Sequence, residues 1–482
     1  MRLALGHPTL GYYTRAVGAG GGDVFGRAGD FTTSPEVSQM FGELVGVWLV
    51  AAWQQQLQQL TAAAAGQLSG GAPAHAPPPR FRLVELGPGR GTLAADILRV
   101  ASRFPQFAGA CAGLHLVETS PTLRLAQARA LGCEAAAAAA AAAATAVESG
   151  SRTSSHAGRP LPVTWHDRLA DVPRGEPLLV VAHELFDALP VHQFVRLAGG
   201  GWRERLVDVS GGRVRGAGEG EGAIDAGAGV GVDAGASGAS AGGLRLVLAP
   251  GPTPASAAYS RALDARCAAL AGARGGGDSV LPAGAIVEFS PAAAGLAGEL
   301  GAALSAHGGA ALIVDYGFAP GESSAATGRP SLRGIRGHAF TASVLEAPGE
   351  VDLSADVDFG VLAEAAVAGG APSPGAPPRA FALSAYGPIT QGAFLQRMGL
   401  AARLARLCAA APPAEQARLQ GEAQRLAHPE QMGSIYKALA LVAVPSGASK
   451  TPSEVCPPAF EGAEEWMGGS DGAPGARAVT PT

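Results

Sequence analysis

Short apolar runs alternate along the chain with amphipathic stretches, the pattern expected of an α/β fold built on a largely parallel sheet. Residues 81–86, 113–117, 162–165, 178–182 and 310–315 are predicted as strands. Between the first two, residues 92–104 place Leu93, Ile97, Leu98 and Val100 near helical spacing, and residues 121–131 follow the next strand in the same way. Upstream, residues 34–60 carry Val37, Met40, Phe41, Leu44, Val45, Trp48 and Leu49 at helical intervals, with Thr33 or Ser34 as cap and Pro35 in the first turn. Residues 202–209 and 244–248 are predicted as an antiparallel pair that lengthens the connection between the fourth and fifth core strands. Beyond them a helix at 359–367, a strand at 379–384 and helices at 390–400 and 414–426 are expected.

Four stretches lack the large apolar side chains that would offset the entropy of ordering them. They are 61–79, the Ala run 135–144 with its Ser-rich sequel to 159, the Gly/Ala/Asp stretch 211–243, and 446–482. The Ala run has helical propensity but no apolar face beyond methyl groups, so it reads as an insertion in a surface loop. Four regions follow: a helical segment at 1–60 over a cofactor cleft, a core at 80–330 with insertions at 135–159 and 211–243, a part at 331–445 that completes the fold with a helical lobe, and a disordered tail at 446–482.

Composition narrows the functional classes. At roughly 150 residues per domain, 482 residues allow about three domains or one large core with attachments. Glycine and proline number 70 and 36, while charged residues are 16% against roughly 25% in ordinary soluble domains, so much of the length is expected as filler. A net charge of -5 gives no electrostatic case for a nucleic-acid partner. Cys111, Cys133, Cys267, Cys408 and Cys456 are scattered without metal-ligand spacing, so neither a disulfide framework nor a metal site is expected. No run of 18 or more bulky apolar residues predicts membrane insertion. Residues 1–13 have neither the apolar core of a signal peptide nor an Arg-rich amphipathic pattern. Either there is no targeting peptide, or the sequence begins downstream of one. Nothing in the pattern specifies an oligomeric state.

The sharpest chemical feature is the run Leu83-Val84-Glu85-Leu86-Gly87-Pro88-Gly89-Arg90-Gly91, a strand passing through a glycine-rich turn into a helix. Glycines suit a backbone that approaches a ligand closely at positive φ, although a purely structural turn has the same composition. Glu85 precedes the first glycine by two residues, and the next strand ends at Glu118, placed to accept both hydroxyls of a ribose unless it is only a solvated strand end. The pattern is GxGxG with a preceding acid, unlike the GxGxxG that presents a pyrophosphate to a helix N-terminus. S-adenosylmethionine has no phosphate and carries a sulfonium and an amino group, so the acid favours it over a dinucleotide. Asp167, after the third strand, is placed either to accept from an adenine amino group or to cap a helix.

A second feature, Val181-Ala182-His183-Glu184-Leu185-Phe186-Asp187, follows the fourth strand. Ligands of open α/β sheets bind at the carboxyl ends of strands, so Glu184 and Asp187 would face the reacting centre. Two carboxylates beside a methyl donor suit a guanidinium, whose five donors form a rigid fork. The competing reading has Asp187 capping a helix and Glu184 paired with a distant Arg. His183 is either a base or a structural histidine. The hydroxyls and acids of Asp30-Phe31-Thr32-Thr33-Ser34-Pro35-Glu36 either line the same cleft or simply cap the helix.

These residues together resemble the MidA-type methyltransferases. The likeness rests on GDFTTSPEVSQMFGELVGVWL at 29–49, LVELGPGRGTLAADILR at 83–99, HLVETSP, VAHELFDALPVHQF at 181–194, ALIVDYG at 311–317, VDLSADVDF at 351–359 and GPITQGAFLQRMGL. It runs in order from about Leu5 to Val444, interrupted by the low-complexity stretches. The resemblance implies a class I, Rossmann-like methyltransferase sheet with an additional helical lobe and β insertions. It implies S-adenosyl-L-methionine as cofactor, held by Glu85, Gly87, Gly89, Gly91 and Glu118. It further implies symmetric dimethylation of an arginine on the 49-kDa-type core subunit of respiratory complex I, an assembly step in the mitochondrial matrix. The family has a helix before the HPTLGYY segment, so the N-terminus reads as truncated. Fold alone leaves two other readings open, a small-molecule methyltransferase and a non-catalytic cofactor-binding assembly chaperone. Deleting residues 216–242 should leave activity and melting temperature nearly unchanged; a large loss of either would show that the stretch packs.

Overall fold

The computed structural model describes residues 1–15, 32–67, 78–133, 152–156, 159–209, 243–273, 281–318, 322–373, 375–446, 455–468 and 474–477. Two units emerge. One comprises Tyr13–Asp187, Ala292–Gly317 and Val357–Thr482; the other comprises Met1–Tyr12, Ala188–Pro291 and Phe318–Asp356. These boundaries differ from the four regions expected, because the chain between Asp187 and Val357 leaves the larger unit twice and returns once in between, at Ala292–Gly317.

The larger unit is organised by one sheet, whose strands are numbered here within that unit. They are β1 Phe81–Leu86, β2 Cys111–Val117, β3 Arg152–His156, β4 Arg159–His166, β5 Leu178–His183, β6 Gly309–Tyr316, β7 Phe381–Thr390, β8 Tyr436–Pro445, β9 Glu465–Gly468 and β10 Pro474–Arg477. Their order across the sheet is β10-β9-β7-β8-β6-β5-β1-β2-β4-β3. From β4 to β6 every neighbouring pair is parallel, whereas β8 runs against both β6 and β7. This is a doubly wound parallel core extended at both edges by antiparallel pairing, β3 against β4 on one side and β8, β9 and β10 against their neighbours on the other. The order reverses between β1 and β5, where Glu85 lies level with Val181 and Leu86 with Ala182. At such a switch point the two chains leave the sheet in opposite directions and open a crevice at its carboxyl edge.

Burial on both faces explains why the core strands read as continuous apolar runs. Every residue of β5 is buried, and the whole of β6 except Tyr316. The helix Gln39–Gln67 supplies Phe41, Val45, Trp48 and Leu49, all fully buried, to the same core as β1 and the helix Thr92–Ala101. The helix expected over 34–60 is instead two, Ser34–Val37 and Gln39–Gln67, broken at Ser38. Ser38 is extended, and its hydroxyl accepts the Met40 N–H at 3.3 Å, a local bond that competes with the helix. At the other end, 61–67 continues the helix through its alanines rather than starting a loop. Strand β7 runs to Thr390, past the expected end at 384, through Gly387 and Pro388 and a register shift between Tyr386 and Ile389. Helices Gln391–Arg397, Leu400–Ala410 and Pro413–Ala427 form the helical lobe, the first capped by Thr390, whose hydroxyl accepts the Ala393 N–H.

Within 446–482, expected from its composition to be a disordered tail, the described residues 455–468 and 474–477 are ordered instead. Residues 465–468 form β9 alongside β7, Phe460 is fully buried, and Val455, Ala459 and Trp466 join it. The Trp48 indole donates to the Pro458 carbonyl at 3.0 Å, and the Trp466 indole donates to the Gly387 carbonyl at 3.0 Å. A few widely spaced aromatics among prolines and glycines anchor this segment without any periodic signal. The stretch 135–159 is likewise corrected at its end, since Arg152–His156 pairs antiparallel with β4. The Ala run and residues 210–242 lie outside the described residues.

The smaller unit is β-rich. Its four-stranded sheet places Leu244–Leu248 beside Trp202–Val209, as expected, then His192–Arg196 and Ile286–Phe289. Phe194, Trp202, Leu263, Val287 and Ala325 form its core, with helix Pro254–Ala273 across it. A second, three-stranded sheet joins Ala339–Phe340, Arg333–Arg336 and Asp352–Ser354. Among the described residues no helix is long and apolar enough to cross a membrane.

Truncating Phe460 to Ala should destabilise the protein by about 3–5 kcal/mol in denaturant unfolding, as for any large core aromatic. A change within about 0.5 kcal/mol, the usual effect at an exposed site, would show that the C-terminal segment is not packed.

Candidate active site

Three strand ends carry the candidate chemistry, all at the carboxyl edge beside the switch point. After β1, Gly87, Gly89 and Gly91 adopt φ of 63°, 53° and 87°, a left-handed turn that residues with a Cβ enter only at a cost. Space is as restrictive as conformation. A Cβ on Gly87 would come 2.8 Å from Leu185 Cδ1, and one on Gly91 would come 3.1 Å from Gln127 Cα. The first of these contacts places the glycine turn directly against the turn that follows β5.

Glu85 lies beneath this turn, buried, and accepts the Ala94 N–H near the start of the following helix. Burial, reinforced by the charge of Asp96, pushes its carboxyl up to about 8. Among the described residues its buried Oε2 atom has no hydrogen-bond partner. Glu118 follows β2 and is fixed through both oxygens: Oε1 accepts the Ser120 N–H at 2.8 Å, and Oε2 accepts from Gln127 Nε2 at 3.2 Å. Gln127 itself is fully buried, donates also to the Gly89 carbonyl at 2.8 Å, and accepts the Trp165 indole N–H at 2.8 Å. It couples the glycine turn to Glu118, a connection that its sequence position on a mid-helix turn did not signal. Asp167, beyond β4, is exposed and accepts from Arg124 at 2.6 Å; Arg124 Nε also donates to the Glu118 carbonyl at 2.8 Å. Asp167 caps no helix. The short 3-10 turn that follows, Leu169–Asp171, has Arg168 at its cap.

A turn of tight glycines, a fixed carboxylate at the next strand end and an orphaned buried oxygen between them fit a ligand with ribose hydroxyls and a cationic amino group. The residues present thus fit S-adenosyl-L-methionine. Glu85, however, is mostly uncharged near neutrality and sits below the turn, so it offers the ligand a buried oxygen more than a fixed negative charge.

After β5 comes an acidic turn. Glu184 holds φ of 49°, uncommon for a residue with a side chain, and its N–H donates to the Val314 carbonyl at 3.0 Å. Its carboxylate accepts the Ser34 N–H at 3.4 Å and the hydroxyl of Tyr436. Asp187 is buried and accepts the hydroxyl of Tyr316. Burial, together with Glu184, Asp187 and Asp315, pushes the Tyr436 phenol well above its ordinary value, so Tyr436 keeps its proton and serves as a donor. His183 is fully enclosed, its ring centroid 4.9 Å from that of Phe41, and burial lowers it to about 3. The imidazole is therefore neutral, and its 3.4 Å approach to Glu184 is not an ion pair. The sequence singled out Glu184 and Asp187 but passed over Asp315, Tyr316 and Tyr436. A charged residue ending the apolar run ALIVDYG was the available signal for Asp315; Tyr436 had none.

Of the segment 30–36, Ser34 and Glu36 reach this site. Ser34 touches Glu184 as above, and Glu36 accepts the Thr92 hydroxyl at 2.7 Å at the start of the helix after the glycine turn. Asp30 and Phe31 lie outside the described residues.

Sheet order, switch point and glycine turn define a Rossmann-like methyltransferase, and comparison with known proteins is consistent with that class. Residues 44–376 match the family "Putative S-adenosyl-L-methionine-dependent methyltransferase", and the chain belongs to that family. S-adenosyl-L-methionine is accordingly its cofactor. It is 34% identical over 91% of its length to the mitochondrial protein arginine methyltransferase NDUFAF7 of Danio rerio, covering 81% of that protein. With the mouse protein of the same name it shares 36% over 92% of its length and 79% of the relative. A COG1565 superfamily member from Burkholderia thailandensis, described as a likely methyl transferase and crystallised bound to S-adenosyl-homocysteine, has the same fold at a TM-score of 0.59 and 22% identity, over 93% of this chain and 87% of that one.

Because Glu85 takes up protons on folding, it lowers stability as pH rises from its unfolded value near 4.5 to about 8. Glu85→Gln, neutral at every pH, should flatten the fall in stability across that window. An unchanged slope in urea unfolding at pH 5 and pH 8 would show that the carboxyl is not held uncharged.

Proposed function

We propose that the protein is a protein arginine methyltransferase in which Glu184 and Asp187 grip the acceptor guanidinium. What carries this reading is the pair of carboxylates on one turn at the end of β5, each held by a tyrosine hydroxyl and set against the cofactor turn through Leu185 and Gly87. When bound, the cofactor supplies an electrophilic methyl group. Gly87, Gly89 and Gly91 let the backbone close on the cofactor, and Glu85 and Glu118 accept from its amino and ribose groups. Asp167, linked to the Glu118 strand end through Arg124, would accept from the adenine amino group.

Glu184 and Asp187 bind two edges of the guanidinium and leave one nitrogen aimed at the methyl. Holding positive charge toward the carboxylates leaves that nitrogen the better nucleophile. Orientation of this kind can lower a barrier by about 7–11 kcal/mol in the best cases. His183, neutral and buried, keeps the base of the turn dry rather than moving a proton.

Relatives named mitochondrial protein arginine methyltransferases support the acceptor class and a mitochondrial location for this chain. On the family resemblance we place it in the matrix and take its product to be symmetric dimethylarginine. The same resemblance gives its acceptor as the 49-kDa-type core subunit of complex I and its role as assembly of that complex.

The test is incubation with methyl-labelled cofactor and complex I core subunits, hydrolysis, and separation of methylated arginines. Labelled symmetric dimethylarginine is expected, and Glu184→Gln should abolish it while cofactor affinity stays within a few fold. Turnover retained in that variant would sink the grip; label on a free small molecule instead of protein would sink the acceptor class.

A further inference from the structure

We propose that Asp315 is a positioning residue for the acceptor site, its carboxylate fastening the turn that presents Glu184 and Asp187. The inference rests on reading those two side chains as the guanidinium grip.

Asp315 lies near the end of β6, the parallel neighbour of β5, in a register that sets Val314 level with His183. It is fully buried. Its Oδ2 atom accepts three consecutive backbone N–H groups, from Leu185 at 3.2 Å, Phe186 at 2.9 Å and Asp187 at 3.4 Å. Its Oδ1 atom accepts the N–H of Tyr316 at 2.9 Å. Consecutive amides converging on one oxygen form a concave anion site of the kind that elsewhere holds a phosphate. Here a side chain of the same sheet fills it.

The positive φ of Glu184 is what turns those amides inward. Such a conformation persists in a residue with a Cβ only where the surroundings impose it. The Val314 carbonyl binds one side of the turn and the Asp315 carboxylate the other, so β6 dictates where both acids point. Tyr316, the next residue, donates to Asp187, so the residue pair Asp315-Tyr316 holds the turn by both its backbone and its side chain. A buried carboxylate beside two others is expensive, and burial followed by the charges of Asp187 and Glu184 raises its proton affinity far above the ordinary value. A group with this cost has no part in gripping the acceptor on the reading above, which leaves the turn as what it serves.

If hydrogen bonding is the role, the single carbonyl oxygen of an asparagine can still accept the three N–H groups, whereas alanine leaves them without an acceptor. The experiment compares Asp315→Asn and Asp315→Ala in the full chain. Hydrogen–deuterium exchange reads the amides of residues 185–187 directly, without any acceptor present. Methyl transfer to complex I core subunits and S-adenosyl-homocysteine affinity are measured on the same preparations.

In Asp315→Ala, exchange of those amides should accelerate at least ten-fold. Its kcat/KM should fall about 100-fold, as expected for reacting groups displaced by an ångström, with S-adenosyl-homocysteine affinity within three-fold. Asp315→Asn should return protection and transfer to within about ten-fold of the native protein. Unchanged exchange in the alanine variant, or an asparagine variant as defective as alanine, overturns the proposal. Should the alanine variant fail to fold, the asparagine variant decides, since loss of protection and transfer there also overturns it. Protection that follows Asp315 as expected, combined with full transfer by Glu184→Gln, would discard the guanidinium grip and leave the fastening of the turn supported.

Discussion

The parallel adjacency of β1 and β5 is the constraint on which the rest depends. Because both strands run the same way and are bonded residue for residue from Arg82 to Leu86, both must leave the sheet at one edge. One exit turns through glycines and the other through an acidic turn, and Gly87 and Leu185 show how closely the two are pressed together. A Cβ at Gly87 would press on the Leu185 side chain, so the glycine turn and the acidic turn lie directly against each other.

That arrangement concentrates ionisable groups in a dry place. Glu85, Asp187 and Asp315 are all buried, as are His183 and the phenol of Tyr436. Desolvation drives Glu85 and Asp315 toward their protonated forms and the His183 imidazole toward its neutral one. On the proposed reading, a cationic cofactor and a cationic acceptor both enter such a site favourably, because each supplies the charge that burial withholds. Hydroxyls of Tyr316 and Tyr436 and the amides after β5 hold the acids in place meanwhile, in the way buried polar groups require.

Much of this was legible in the sequence because apolar runs, glycine spacing and strand-end acids are local signals. Strands β1, β2, β4, β5 and β6, and the strand-end positions of Glu118, Glu184 and Asp187, follow from pattern alone. The failures share a cause. The second half of strand β7 is hidden by Gly387 and Pro388, which read as a break, and β9 is hidden by low hydrophobic density. Gln127 and Tyr436 act through partners far away in sequence, Gly89 and Glu184, and no window of residues contains both ends of such a contact. Ser38 ends a helix through one hydroxyl bond, too small an effect to register in a periodic pattern that continues past it.

The sheet also imposes an order on synthesis. Its antiparallel strand β8 lies between β6 and β7 and comes from residues 436–445, while Trp48, near the other end of the chain, is bonded to Pro458. Gln56 likewise donates to the Ala443 carbonyl at 3.1 Å. The first long helix therefore has no complete binding surface until the last tenth of the chain exists. A ribosome, or a membrane passing the chain through N-terminus first, would hold a long apolar helix waiting for its partners. Contacts of such span make closure slow, and an unfinished core of this size is a natural client for chaperones before it is an enzyme.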